Sequence, residues 1–314
     1  MKQELPRSMP PGVAFMDGSF MDVAEARIPI LDWGFLRSDA TYDVVHVWKG
    51  NFFRLDDHVD RFLNGLARLR MELPLDRAEL ETILHECVAR AGFDDAYVEM
   101  ICTRGSAPNY ERHPRHANPR FMAFVIPFSW ILAPERWEEG LHVGVSRDHT
   151  RIAATAVDPR VKNYHWLDLV MGWLEVSDRG ADAVVLVSEQ GDVCEGAGFN
   201  IFAVLDGTVL TPDKGVLEGI TRRSALDICD DLVIPTLVAP MKLEELRRAQ
   251  EIFVTSTAGG IMPVTRLDGA AVGGGRPGPV TRKLHQIYWD RHADSPWATP
   301  VRRSGAINRQ EQAT

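Results

Sequence analysis

Hydrophobic residues in the first half of the chain alternate between strand-like and helix-like spacing. Segments rich in β-branched and aromatic residues predict strands. These predicted strands are Phe20–Ile30, Ala40–Trp48, Tyr97–Thr103 and Phe121–Ile126. From Leu55 the apolar residues recur every three or four positions, which predicts a helix. A second helix is expected over Asp76–Ala91, with Gly92 as its stop. A polar loop, Gly105–Arg120, joins the last two strands.

The second half repeats the alternation after a segment with little periodicity. That segment, residues 127–140, contains two prolines and is the candidate interdomain linker. Beyond it we expect strands at Ala183–Ser188, Asn200–Leu205 and Glu251–Thr255, and helices at His165–Arg179, Thr221–Leu232 and Leu243–Ala249. We therefore predict an α/β (α+β) fold with a small N-terminal domain, 1–126, and a larger C-terminal domain, 141–293. The polar residues 294–314 are expected to form a loosely ordered tail, and the proline-rich first dozen residues an arm.

Composition narrows the class of protein. The chain has 314 residues, enough for two domains, with 45% hydrophobic and 25% charged residues, as in ordinary globular proteins. Its net charge of −9 argues against nucleic acid as a partner. The longest apolar stretch, Phe121 to Pro134, has 14 residues, too few to span a membrane, and the N-terminus lacks the apolar core of a signal peptide.

Cysteine usage points to a reducing compartment. The four cysteines, at positions 87, 102, 194 and 229, form no CxxC pair and have no histidine at metal-ligand spacing. The sequence therefore indicates neither a metal site nor a disulfide framework, and we expect a cytoplasmic protein.

Lys162 is the lysine with the most unusual surroundings. Only six lysines occur, and Lys162 alone is flanked by apolar and aromatic residues, in the segment AVDPRVKNYHWLDLV. Such surroundings would desolvate the amine, lower its pKa and leave it nucleophilic. The alternative is that its alkyl chain covers an apolar surface while the charged end stays in water.

Two glycine-containing segments are candidate phosphate sites. LEGITRRSAL places Gly219, Ile220 and Thr221 at a helix start, where backbone N–H groups and a hydroxyl can receive an anion. TSTAGG follows a predicted strand, where α/β folds place ligand loops. Each segment alone has an ordinary structural explanation, as a helix cap or a turn.

Two charged positions have similarly open interpretations. His58 and Arg61 share a helix face, from which the arginine can reach a buried anion or pair with Asp57. Glu195, in CEGAGFNIFAV, is either a surface loop residue or the partner of a buried cation.

In their order along the chain, these segments resemble a known family. FRLDDHVDR, VKNYHW, EGAGFN, LEGITR and TSTAGG follow one another as in the fold-type IV pyridoxal-phosphate enzymes, and the resemblance covers roughly Phe15 to Asp290. Within that group the chain is most similar to (R)-selective amine transaminases, through ARIPILDWGF, SDATYDVVHVWKGNFFRLDDH, DPRVKNYHW, DRGADA and TAGGIMPVTRLDG. The resemblance implies a two-domain fold, a homodimer and pyridoxal 5′-phosphate as cofactor.

The resemblance also implies roles for individual residues. Lys162 would join covalently to the cofactor, Glu195 would partner its pyridine nitrogen, and Leu217 would pack against the ring. The implied phosphate contacts are Arg61, Ile220, Thr221 and Thr257. The implied substrate contacts are Phe35, Arg37, Tyr42, Val44, Tyr97, Glu99, Arg112, Trp166, Ser256 and Ala258.

One position departs from the family pattern. The amine transaminases usually carry histidine where this chain has Arg37, and their loop arginine aligns ambiguously with Arg112 or Arg115. The RxH loop signature of D-amino acid aminotransferases is absent. Arg37 would either bind a substrate carboxylate or pair with an acid such as Glu99.

We therefore expect a transaminase that moves an amino group from an (R)-amine or a D-amino acid to a 2-keto acid such as pyruvate. The alternatives are a D-amino acid or branched-chain aminotransferase, an aminodeoxychorismate-lyase-like enzyme, and a homologue without cofactor or activity.

Overall fold

The structure is a computed structural model that describes residues 9–293 and 295–303. The first elements are β1 (Val13–Met16), β2 (Ser19–Asp22), α1 (Trp33–Arg37), β3 (Ala40–Trp48), β4 (Asn51–Phe53), α2 (Leu55–Leu69), α3 (Arg77–Ala91), β5 (Ala96–Ser106) and β6 (Asn118–Pro127). The later elements are β7 (Leu141–Val145), α4 (Leu167–Asp178), β8 (Ala183–Val187), β9 (Val193–Gly196), β10 (Phe199–Leu205), β11 (Thr208–Thr211), α5 (Ile220–Asp231), β12 (Thr236–Val238), α6 (Leu243–Arg248), β13 (Glu251–Ser256), β14 (Gly260–Leu267), β15 (Ala270–Ala271), α7 (Pro279–Asp290) and β16 (Ala298–Pro300).

The chain folds into two compact units. The N-terminal unit contains the described residues up to Ser129 and those from Ser295, and the C-terminal unit contains the described residues from Trp130 to position 293. The division falls inside the segment 127–140 that sequence analysis marks as a linker.

The N-terminal unit is an antiparallel sheet with helices on one face. Its strand order is β16-β4-β3-β5-β6-β1-β2. Val45 and Val47 of β3 point to the same side and pack in one core with Val59 and Phe62 of α2. Because strand side chains alternate between faces, the intervening residues of β3 lie on the opposite face.

The C-terminal unit is built on a nine-stranded sheet. Its order is β12-β11-β10-β13-β14-β7-β8-β9, and β9 also pairs with β10. This extra pairing closes the strands from β10 to β9 into a ring. β7 and β8 are parallel, and α4 lies in the connection between them, as parallel neighbours require.

Most predicted elements of regular period are confirmed. β3 spans the predicted Ala40–Trp48. α3 has Asp76 as its N-cap and Gly92 as its C-cap, with a capping box between Asp76 and Glu79. These elements carry their signals locally, in apolar spacing and in cap residues.

Two predicted features are wrong. In place of a strand over Phe20–Ile30, extended structure ends at Asp22, whose carboxylate accepts a hydrogen bond from the Ala24 N–H and turns the chain. The expected loose tail contains β16, which pairs with β4. Its partner strand is remote in sequence, so local composition misses it. Residues 1–8 of the expected arm lie outside the described residues.

No helix within the described ranges is both long enough and apolar enough to cross a membrane.

Candidate active site

Three polar side chains stand in a row across the sheet of the C-terminal unit. Asn200 on β10 is the register partner of Glu195 on β9 and of Thr255 on β13. Directly opposed residues share a face, and this face is opposite to the one that carries Ile201 and Val254 into the core. All three polar residues are buried. The sheet therefore presents a buried polar strip among otherwise apolar strands.

Glu195 is the charged centre of this strip. Its Oε1 accepts hydrogen bonds from Nε and Nη2 of Arg151 at 3.2 and 3.1 Å. Its Oε2 accepts one from the Leu217 N–H at 2.8 Å. Burial raises the pKa of Glu195, and the Arg151 charge and the Leu217 N–H oppose that rise. Glu195 is thus the partner of a buried cation, one of the two alternatives that the sequence left open.

Arg151 is shared between two carboxylates. Its Nη1 donates to Oδ2 of Asp168 at 2.6 Å, the shortest of its bonds. Burial acts to lower the pKa of Arg151, but Glu195 and Asp168 raise it overall, so the guanidinium stays charged. Asp168, on the first turn of α4, also accepts the Ile152 N–H and fixes the segment that carries Arg151.

Lys162 lies on a loop that is held by its neighbour Asn163. The Asn163 amide donates to the Val161 carbonyl at 2.8 Å and accepts from the His165 N–H at 2.9 Å. The indole of Trp166 donates to the Asn163 carbonyl at 3.1 Å. The loop residues around Lys162 are therefore fixed. The charge of Lys162 acts on Glu195, which places the amine and the carboxylate in one neighbourhood.

The start of α5 offers backbone donors. Its N-cap is Gly219, which supplies no side-chain cap, so the first-turn N–H groups are open to an anion. A Cβ at Gly219 would lie 2.1 Å from Asn200 Oδ1, so only glycine fits there. Thr221 is 4% exposed and stands in this first turn. The guanidinium of Arg222 donates to the Thr211 hydroxyl and the Pro212 carbonyl, which anchors the helix start to β11.

The turn between β13 and β14 carries the second hydroxyl cluster. The Ser256 hydroxyl accepts the Ala258 N–H at 3.2 Å, and Gly260 has φ of 69°, a left-handed conformation that favours glycine. Thr257 lies in this turn. The Thr255 hydroxyl is buried and has no hydrogen-bond partner among the described residues. An orphaned buried hydroxyl beside an uncapped helix start fits a polar ligand.

Four predicted substrate residues share one face of the N-terminal sheet. Val44 is the register partner of Glu99, and Tyr42 and Tyr97 lie two residues away on the same strands. This is the face opposite to α2. The Tyr97 hydroxyl donates to Glu99 Oε2 at 3.0 Å, and burial raises the pKa of Tyr97, which keeps that proton in place.

The remaining predicted substrate residues of the N-terminal unit lie elsewhere. Phe35 and Arg37 are exposed on α1, where the Arg37 guanidinium stacks 3.8 Å from the Trp33 ring centroid. Arg112 is exposed in the loop between β5 and β6. Arg61, a predicted phosphate contact, belongs to the same unit and bonds to Asp43. The structure therefore collects candidates into one cluster in each unit.

The site contains residues that sequence analysis missed. Arg151 and Asp168 carry no local signal, because Arg151 meets Glu195 across 44 positions of sequence. Asn200 does carry one, since it is the polar residue inside the apolar strand FNIFAVL. A polar residue in a buried strand needs a partner, and here that partner is Glu195.

Similar proteins share this architecture along nearly the whole chain. The profile of the Amino-transferase class IV family matches residues 40–267. D-alanine aminotransferase of Bacillus licheniformis is 30% identical over 275 residues, 85% of this chain and 93% of that protein. A putative branched-chain-amino-acid aminotransferase of Methanocaldococcus jannaschii is 28% identical over 278 residues, 88% of this chain and 95% of that protein.

A solved structure adds the fold and the cofactor. The branched-chain amino acid aminotransferase of the organism abbreviated T.th., with pyridoxamine 5′-phosphate, superposes with a TM-score of 0.87 at 28% identity, covering 94% of this chain and all of that one. The residues described above fit such a group, because a buried carboxylate, an amine and an uncapped helix start occur together. The chain is therefore a transaminase of the class IV aminotransferase family, the fold-type IV enzymes whose cofactor is pyridoxal 5′-phosphate.

Proposed function

We propose that this transaminase moves an amino group from an (R)-amine or a D-amino acid to a 2-keto acid such as pyruvate. Lys162 is the catalytic residue, and Glu195 and Leu217 hold the cofactor ring. Its phosphate is bound by the residues assigned from the family resemblance: Arg61, Ile220, Thr221 and Thr257.

The observation that carries the donor class is the charge of the substrate face. Glu99, 7% exposed, places a buried carboxylate between Tyr42, Val44 and Tyr97. A donor that bears its own carboxylate would be repelled there, whereas an amine with an aromatic or alkyl group would pack against these side chains. Arg120, the basic residue that pairs with Thr103 at the end of this face, is ion-paired with Asp17 and Asp32.

Arg37 supports the acceptor half of the proposal. Its exposed guanidinium stacks on Trp33 and forms no ion pair within the described part of the chain. A stacked guanidinium keeps its donors available for a bidentate contact with a carboxylate. We assign it to the 2-keto acid, with Glu99 bonded to Tyr97 instead.

The chemistry then divides among the residues of the chain. Pyridoxal phosphate, when bound, supplies an electron-accepting ring that weakens the C–H bond of the substrate carbon. Lys162 provides an amine that takes that proton and returns it on the other side of the reaction. Glu195 holds a proton on the ring nitrogen, and Arg151 keeps the carboxylate ionised for this purpose.

A donor panel tests the proposal. The holoenzyme is mixed in single turnovers with (R)- and (S)-1-phenylethylamine, D- and L-alanine, and L-leucine, and the loss of the cofactor's violet-edge absorbance is followed. We expect (R)-1-phenylethylamine to react fastest and its (S) enantiomer not at all. Preference for D-alanine or for L-leucine would establish a D-amino acid or a branched-chain aminotransferase. Release of pyruvate from a donor without any acceptor would indicate the lyase.

Arg37→Ala tests the acceptor assignment. We expect the half-reaction with pyruvate to slow about tenfold or more, since a charged hydrogen bond contributes about 1.5 to 3 kcal/mol, while the half-reaction with (R)-1-phenylethylamine is nearly unchanged. Arg27→Ala is the matched control, because Arg27 is another exposed arginine of the N-terminal unit, bonded to the Ala24 carbonyl. Equal losses in both half-reactions would contradict a carboxylate contact.

A homodimer and a reducing compartment are part of the proposal. Leu167, Met171 and Leu174 of α4 are exposed apolar side chains, which supports burial against a second copy. All four cysteines are free and buried, which suits a cytoplasmic protein. Light scattering on the purified enzyme tests the dimer, and a monomeric mass would contradict it.

A further inference from the structure

Three buried polar side chains meet between β3 and α2 in the N-terminal unit. Asp43 of β3 is fully buried and points toward the helix, where it contacts His58 and Arg61. Nε of Arg61 donates to Asp43 Oδ2 at 2.7 Å, and Nη2 donates to Oδ1 at 2.8 Å. The pair is therefore a two-point fork, the most directional contact that a guanidinium makes.

The charge states of the cluster follow from its surroundings. Burial acts to raise the pKa of Asp43, but the Arg61 charge and the bonds from His58 and Arg61 outweigh it and hold the pKa well below its usual range. Burial lowers the pKa of His58, which is therefore neutral. Because Asp43 accepts only, His58 Nδ1 carries the ring proton and donates it to Oδ1 at 2.8 Å. The cluster holds one anion and one cation.

The carboxylate itself is fixed before it holds the arginine. Oδ1 of Asp43 also accepts the Val44 backbone N–H at 2.8 Å. His58 is nearly as buried as Asp43, so neither acceptor nor ring has room to rotate. An arginine side chain otherwise samples many rotamers, and an unheld one would lose that freedom when it binds an anion. The fork removes this cost in advance.

We propose that Asp43 and His58 are positioning residues that hold the Arg61 guanidinium ready for the phosphate of the cofactor. This inference rests on the assignment of Arg61 to the phosphate in the proposed function. Asp43 and His58 touch neither cofactor nor substrate, and they act through Arg61. Their loss should weaken cofactor affinity and leave the chemistry of the loaded enzyme intact.

A double-mutant cycle on cofactor affinity tests the inference. The dissociation constant of pyridoxal phosphate is measured by absorbance titration of the apoenzyme for wild type, Asp43→Asn, Arg61→Ala and the double variant. We expect Asp43→Asn to weaken affinity about tenfold alone, on the scale of a charged hydrogen bond, and less than about twofold in the Arg61→Ala background.

Two further variants guard against a folding defect. His58→Gln keeps the fork and should weaken affinity by less than Asp43→Asn, again only when Arg61 is present. Asp57→Asn is the matched control, because it removes the carboxylate of another ion pair at the start of α2, 2.5 Å from Arg54, and should leave affinity unchanged. Circular dichroism verifies that each apoenzyme is folded.

The outcomes separate two failures. If Arg61→Ala weakens affinity but Asp43→Asn and His58→Gln do not, the positioning role is wrong and the phosphate assignment stands. Equal losses from Asp43→Asn in both backgrounds would show a merely structural role. If Arg61→Ala itself leaves affinity unchanged, the phosphate assignment of the proposed function fails, and the positioning role with it.

Discussion

The two units each bury a carboxylate against an arginine, yet the two carboxylates behave in opposite ways. The pKa of Asp43 is held below its usual range, whereas that of Glu195 is raised by burial. Arg61 bonds both oxygens of Asp43 at 2.7 and 2.8 Å. Arg151 bonds one oxygen of Glu195 at 3.1 to 3.2 Å and makes its shortest bond to Asp168.

The difference lies in how each arginine is divided. Arg61 gives its fork to a single acid, which becomes a fixed anion and in turn fixes the arginine. Arg151 serves two acids, so Glu195 is only partly neutralised and can still take up a positive partner. The first arrangement suits positioning, and the second suits contact with a ring nitrogen.

The largest effect is expected for the residue on which both clusters depend. Lys162→Ala should abolish turnover, and borohydride should no longer fix the cofactor to the protein, because Lys162 is the lysine whose charge acts on Glu195. Circular dichroism should be unchanged. Lys214→Ala, at an exposed lysine, is the control and should retain full activity. Labelling of a peptide without position 162 would contradict the assignment.

A smaller effect is expected at the phosphate end of the C-terminal unit. Thr221→Ala should weaken cofactor affinity about tenfold to a hundredfold, since one hydrogen bond to a charged group is worth about 1.5 to 3 kcal/mol. Titration of the apoenzyme measures this, and excess cofactor should restore most of the rate. A rate that stays low at saturation, in folded protein, would place Thr221 in the chemistry instead.

The smallest effect is a pair of opposite pH responses in the apoenzyme. Asp43 has a lowered pKa, so its stabilisation is present above the unfolded value of 3.8 and is lost as pH falls through the folded value. Glu195 has a raised pKa, so its contribution is full below the unfolded value of 4.5 and declines as pH rises through the folded value.

Denaturant midpoints between pH 3 and 8 measure these responses. The stability difference between wild type and Asp43→Asn should grow from acid toward neutral pH. The difference between wild type and Glu195→Gln should shrink over the same range, by about 1.4 kcal/mol for each unit of pKa shift. Slopes of the same sign would contradict the contrast between the clusters.

The sequence predicts these two clusters unequally. His58 and Arg61 are one helical turn apart, so their shared face follows from periodicity, and α2 begins at the predicted Leu55. Their partner Asp43 was not singled out, because an acid inside the strand TYDVVHV shows its burial only once α2 covers that face.

The remainder of the site depends on strand register and remote contacts. The row of Glu195, Asn200 and Thr255 exists because three strands pair in one register, which no local pattern specifies. The motifs did mark Glu195, Gly219 and Thr221, since capping glycines and hydroxyls leave local signals. Arg151 leaves none.

Glu195→Gln against Arg61→Ala is the measurement that most directly tests the division of labour between the clusters. Both variants are saturated with pyridoxal phosphate, and the half-reaction with (R)-1-phenylethylamine is timed. Glu195→Gln should remain about a hundredfold slow with cofactor bound, because breaking a buried charge pair costs about 3 kcal/mol or more. Arg61→Ala should recover most of the wild-type rate. Recovery of both variants at saturation, or of neither, would contradict it.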